Sequence, residues 1–143
     1  MHIEDIKMQS KPAHNLCKQI HSMQLLESLS LVNIESLENA KIMDTLARSI
    51  KHHKYLKFVD LRQMNIRTRN VDSLVTLLSK NKVIEKLDIS KAIVSKQNMM
   101  HLWLALHKNI SVCDLTYSRI NFFSLMEMTC IDMELRLNKI IRN

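Results

Sequence analysis

Glycine is absent from this chain, and proline occurs once, at Pro12. A phosphate-cradling loop needs glycines where the backbone closes on the phosphate, so no glycine-rich nucleotide loop can exist here. Aromatic residues make up only 4% of the chain, which counts against a base-stacking surface for RNA. No apolar run approaches the roughly 18 residues of a membrane span. The three cysteines, Cys17, Cys113 and Cys130, are odd in number and unpatterned, and read as free thiols in a reducing compartment. Glu4 and Asp5 stand where a signal or transit peptide would be apolar or basic, so neither is expected. There is no nucleophile elbow, paired-carboxylate motif or zinc helix motif, so no enzyme, cofactor or metal is expected. His14, Cys17 and His21 share a helix face at i, i+3 and i+7, but a fourth ligand is lacking.

What the chain does have is 143 residues, 46% of them hydrophobic, enough for one domain with a real core. Its net charge of +7 is uneven. Residues 48 to 96 hold twelve Lys/Arg against four Asp/Glu, while residues 1 to 47 hold four against six. A basic middle is either a solvated surface or an electrostatic face for an acidic partner: nucleic acid, an acidic protein tail or anionic lipid.

The dominant pattern is a 28-residue period. Apolar residues recur at positions 1, 4 and 6 of each unit: Leu26, Leu29, Leu31; Leu56, Val59, Leu61; Ile84, Leu87, Ile89; and Val112, Leu115, Tyr117. The 4 and 6 pair has strand period. About ten residues later the spacing becomes helical, at Met43, Leu46, Ile50, then Val71, Leu74, Leu78, then Met99, Leu102, Leu106. Ser36, Thr68 or Asn70, and Ser95 mark helix starts. His53, Asn81 and Asn109 follow the helices and stand where a left-handed C-terminal residue is expected in a chain without glycine. His52 and His53 suit the helix dipole there. Ser10-Lys11-Pro12 reads as an N-cap with proline in the first turn, opening an N-terminal capping helix over 12 to 23. Residues 122 to 141 carry more apolar surface than one helix face needs. That segment either folds over the last strand or is covered by another chain.

The Leu-x-x-Leu-x-Leu strand, the helix and the Lys-Asn return resemble leucine-rich repeats of the ribonuclease-inhibitor type. The resemblance implies an α/β fold: a short curved solenoid with parallel strands inside and helices outside, capped by N- and C-terminal helices. The expected organisation is residues 1–23 as N-terminal segment and cap, then repeats over 24–121 (24–53, 54–81, 82–109 and 110–121), then a capping or interface helix over 122–143. The family's position-9 asparagine is replaced by Ile34, Met64, Ala92 and Ile120, and the first repeat carries two extra residues between strand and helix.

The resemblance makes the strand face the default binding surface. Candidate partner-binding residues are Phe58, Arg62, Lys86, Lys91 and Arg119 on that face, Trp103 on a helix, and Phe122 and Phe123 near the end. Asp60 and Asp88 share a column, expected to pair between strands. The implied role is a non-enzymatic protein–protein interaction subunit, a scaffold component of a large assembly, cytoplasmic and of the ciliary or cytoskeletal kind. Two alternatives stay open: a basic, RNA-contacting subunit of a mitochondrial assembly such as a ribosome, and a regulator of an enzyme or GTPase. Protein subunits are the expected partners, nucleic acid the lesser one; no membrane span and no small-molecule substrate are expected.

Overall fold

The computed structural model describes residues 1–6, 9–117 and 125–142. Each unit runs strand, turn, helix, return. A five-stranded parallel sheet has the order β1 (His2–Glu4), β2 (Ser28–Val32), β3 (Phe58–Asp60), β5 (Lys86–Ile89), β7 (Asp114–Tyr117). Two short strands, β4 (Asn65–Ile66) and β6 (Ile93–Val94), pair with each other between strand and helix. The helices α1 (Ser10–Ser22), α2 (Ala40–Ile50), α3 (Thr68–Lys80) and α4 (Lys96–His107) pack in sequence behind the sheet, and α5 (Leu125–Arg142) closes the far end against α4. This is a leucine-rich-repeat solenoid with strands and helices on opposite sides.

Strand positions 4 and 6 form the core. Leu29, Leu31, Val59, Leu61, Leu87, Ile89 and Leu115 are all buried, facing Met43, Leu46, Ile50 and their equivalents in α3 and α4. Burying two such side chains per strand stabilises each turn by about 3–6 kcal/mol relative to leaving them exposed. Strand register follows the period: Val59 lies opposite Leu87, and Leu87 opposite Leu115. Between β2 and β3 the offset is 30, Leu29 opposite Val59, and the two extra residues are taken up by a 3-10 turn at Glu35–Glu38.

The N-terminal end holds more than a cap. β1 pairs with β2 at an offset of 28, His2 opposite Ser30, so α1 follows a strand as every other helix does. The start of α1 is capped at Gln9 rather than Ser10, without a side-chain bond, and Pro12 falls in the first turn. Ser95 caps α4 by accepting from the Asn98 amide, as the sequence implies. Asn39, not Ser36, caps α2. Arg67 is the N-cap of α3; Thr68 and Asn70 lie inside that helix.

The left-handed residues are not the ones expected. His53, Asn81 and Asn109 do not have positive φ; Asp5, Asn33, Gln63 and Lys91 do. These four follow the strands, at the turn towards each helix, and Asn33 donates a 2.6 Å side-chain bond back to Asp5. Asn81 and Asn109 have a different task. They are buried, and their side chains stitch one turn to the next. Asn81 Nδ2 donates to the Ile50 and Lys51 carbonyls, while its Oδ1 accepts from the Val83 and Ile84 amides. Asn109 repeats this with the carbonyls of Leu78 and Asn81 and the amides of Ser111 and Val112. Asn138 of α5 continues the column, donating to the carbonyls of Asn109 and Val112. A second pair does the same on the opposite edge: Asn70 donates to the Leu37 and Glu38 carbonyls, Asn98 to that of Ile66. Turn-to-turn backbone groups left over by a strand–helix unit are thus satisfied by amide side chains, which present donor and acceptor together.

His53 heads the first column and breaks its chemistry. It is 2% exposed, and neither ring nitrogen has a hydrogen bond of good geometry. Burial pushes its pKa below the ordinary imidazole value; the nearby Ile20 carbonyl opposes this in part, and His21 adds to it. A dipole-favoured cation, the expectation from sequence, is therefore replaced by a buried neutral ring.

Candidate functional site

The strand face is built from residues alternating with the core positions. In-register pairing aligns two rows across it. One runs Ser28, Phe58, Lys86, Asp114; the other runs His2, Ser30, Asp60, Asp88, Thr116. The first row is an amphipathic strip. The Lys86 Nζ lies 5.9 Å from the centre of the half-buried Phe58 ring and 2.9 Å from the Asp114 carboxylate. That carboxylate holds the Lys86 pKa above its ordinary value. Lys57 and Glu85 pair at 3.5 Å beside it.

The second row is an internal network. Asp60 is 2% exposed although it lies on the strand face. Its two oxygens are fully taken: Ser30 Oγ donates to Oδ2 at 2.7 Å, and Arg62 donates from Nε to Oδ1 and from Nη2 to Oδ2, each at 2.9 Å. Burial alone would raise the Asp60 pKa, but the hydrogen bonds from Arg62 and Ser30 outweigh it and hold the carboxyl below its ordinary value. Arg62 also lies 3.8 Å from Asp88. The expectation of inter-strand polar pairing for Asp60 and Asp88 describes this arrangement.

His2, Ser30 and Asp60 lie in one row and have the residue types of a hydrolytic triad. Their connectivity is wrong for one. The Ser30 hydroxyl gives its proton to Asp60, so the His2 imidazole, 2.7 Å from Ser30 Oγ, is not the base that takes it. Ser30 is moreover 7% exposed. Among the described residues no group of three or more His, Cys, Asp or Glu is placed to hold a metal ion. Cys17 points into the core and His14 and His21 do not, so the helix-face trio is divided. Nor is any described helix long and apolar enough to cross a membrane.

The candidate binding residues separate accordingly. Phe58 and Lys86 meet on the strand face. Arg62 is engaged by Asp60. Lys91 is exposed at a left-handed turn on the strand-to-helix edge. Trp103 lies in the helical layer, away from the strand face; it is half-buried against the core, with His107 at 6.2 Å between ring centres and its indole N–H unpartnered. Arg119, Phe122 and Phe123 lie outside the described residues.

The surface missing from the candidate residues is on α5. Ile131, Leu135 and Asn138 turn inward, but Met133, Leu137, Ile140 and Ile141 are 49–70% exposed. Cys130, also exposed, Met133, Leu137 and Ile140 run at 3-4-3 spacing along the opposite face, and Ile141 adds to it four residues after Leu137. The excess of apolar residues in 122–141 was the signal for it. The helix thus covers the end of the solenoid with one face and leaves a second apolar face open.

No protein-family model matches the chain, and no curated protein matches it by sequence. Its fold is nevertheless found in solved structures. It is similar to the structure described as leiomodin-1 actin-binding site 2, with a TM-score of 0.79 at 12% identity over 99% of this chain and 81% of that one. It is also similar to the tropomodulin C-terminal domain of Caenorhabditis elegans, with a TM-score of 0.56 at 12% identity over 94% and 96%. At such identity the likeness is one of fold, and it places the chain among leucine-rich-repeat-like domains without supporting the ribonuclease-inhibitor type in particular.

Proposed function

We propose that this chain is a non-enzymatic protein-interaction module of the cytoskeleton, with actin as the partner to test first. The observation that carries the reading is the open apolar face of α5, where four large aliphatic side chains lie exposed on one stripe. Isolated apolar side chains are normal on a surface, whereas a contiguous stripe marks an interaction site. The choice of actin comes from the description of one structural neighbour as an actin-binding site. The strand-face row of Phe58, Lys86 and Asp114 supplies a second, polar contact region.

The finer expectations, a ciliary axoneme or a mitochondrial assembly, find no counterpart in either neighbour's description. An RNA-contacting role has basic charge but little aromatic surface behind it: Phe58 is taken up by Lys86, and Tyr55 is the one exposed aromatic side chain among the described residues.

The test is co-sedimentation with actin filaments, together with binding to monomeric actin. Leu137→Ser with Ile140→Ser changes only exposed positions and should reduce binding at least tenfold while the circular dichroism spectrum stays the same. Binding by neither form of actin would remove actin. Retention of full binding by the double variant would remove the α5 face.

A further inference from the structure

The four helix-to-strand returns lie side by side along one edge of the solenoid, because the strands they lead into begin in register at Ser28, Phe58, Lys86 and Asp114. No acidic residue occurs in the stretches that lead to this edge, 11–26, 49–56, 73–84 and 99–112; Glu27, Glu85 and Asp114 follow where the strands begin, Glu85 paired with Lys57 and Asp114 with Lys86. Lysines repeat there at the period of the fold. Lys54 and Lys82 occupy one place in successive turns, and Lys80 and Lys108 another. All four are exposed. Between them stand apolar side chains that the core does not use: Leu25 is 79% exposed, Tyr55 51% and Ile110 54%.

Helix dipoles explain part of this. Lys80 and Lys108 sit at helix C-termini, where a cation is favoured. Lys54 and Lys82 lie beyond the helix ends, and the dipole gives no reason for Leu25, Tyr55 or Ile110 to be in water. A row of cations with protruding aliphatic and aromatic groups has two separate chemistries to satisfy. Nucleic-acid phosphates would use the lysines and leave Leu25 and Ile110 idle. An anionic bilayer uses both: the headgroups attract the lysines, and the apolar side chains enter the interface.

We propose that this edge is a peripheral docking surface for an anionic lipid bilayer, independent of the α5 face. Lys54 and Lys82 supply the attraction, and Leu25, Tyr55 and Ile110 enter the headgroup region. The test is sedimentation of the full chain with phosphatidylcholine vesicles, with and without phosphatidylserine. The protein should pellet only with the anionic vesicles. Each lysine near the surface strengthens partitioning about fivefold, so Lys54→Glu with Lys82→Glu should weaken it by at least about 25-fold. Lys41→Glu with Arg69→Glu makes the same change in net charge at exposed sites on the opposite edge and should leave most of the binding. Leu25→Ser with Tyr55→Ser, at constant charge, should also weaken it. Failure to pellet with anionic vesicles overturns the proposal. Equal loss in the Lys41/Arg69 variant reduces it to net charge and overturns it too. Displacement from vesicles by single-stranded RNA would assign the edge to nucleic acid instead. Because actin binding is read in a separate assay on α5 variants, either reading can fail without the other.

Discussion

Asn109→Ala is the sharpest test of how the turns are held together. The Asn109 side chain makes five hydrogen bonds within a site that is 1% exposed: two donated to carbonyls, two accepted from backbone amides, and one accepted from the Ser111 hydroxyl at 2.7 Å. Alanine removes all five and leaves the Ser111 and Val112 amides buried. Each buried unsatisfied group costs about 1–3 kcal/mol, and the hydroxyl can turn to a new acceptor. Allowing for relaxation, the expected loss is about 3–5 kcal/mol, a large part of the roughly 5–15 kcal/mol that holds a domain of this kind. Urea denaturation followed by far-ultraviolet circular dichroism measures it. Because Asn138 of α5 bonds to the Asn109 carbonyl, hydrogen exchange should rise first in β7 and α5. Asn109→Asp keeps the acceptor but faces two carbonyls with a carboxylate, so at neutral pH it should be less stable than the alanine variant and recover on acidification. A loss below about 1 kcal/mol for Asn109→Ala, with an unchanged denaturant slope, would refute the claim that the asparagine column holds the turns.

Further outcomes follow from the buried titratable groups. His53 is held neutral by burial, so the unfolded chain takes up a proton at higher pH than the folded one; stability should be full above the ordinary imidazole pKa of 6.5 and fall as pH drops below it. His53→Asn supplies the column's own residue and should abolish that acid loss, read as the midpoint of thermal unfolding against pH; an unchanged profile would show that another group is responsible. For Asp60 the depressed pKa gives stability that is present above the ordinary value of 3.8 and lost as pH falls below it, so Arg62→Ala should be destabilising at neutral pH and approach wild type in acid. A difference that persists unchanged at acidic pH would locate the effect in packing. Cys17 is buried and its pKa raised to about 11, whereas Cys130 is exposed. A thiol reagent at neutral pH should therefore label Cys130 in the folded protein and Cys17 only after unfolding, as mass spectrometry of the labelled peptides would show.

The strand and helix cores were readable from the sequence because burial repeats with them: the apolar 1, 4 and 6 positions and the three-and-four helix spacing need no other information. β1 was missed because only Met1 and Ile3 stand for its core, too short a run to register alone, although they lie 28 residues before Leu29 and Leu31. The asparagines at 81 and 109 were visible but their task was not. An Asn after a helix can serve by its backbone, in the left-handed region, or by its amide side chain, and only geometry separates the two. The left-handed column itself, Asp5, Asn33, Gln63 and Lys91, shares no residue type and offers no pattern. On the strand face, the pairing of Phe58 with Lys86 follows from register, whereas the α5 face depended on knowing which side of that helix the solenoid covers.

The 30-residue offset between β2 and β3, against 28 elsewhere, shows that the molecule counts turns by strands rather than by residues. The surplus is confined to Glu35–Glu38, downstream of Asn33 and upstream of Asn39, and neither the sheet nor the asparagine columns lose step across it. The exposed position at Glu35 is therefore the place where a short epitope or a reporter loop could be spliced in while the sheet keeps its register, as long as Leu37 stays buried and the Leu37 and Glu38 carbonyls keep their bonds from Asn70.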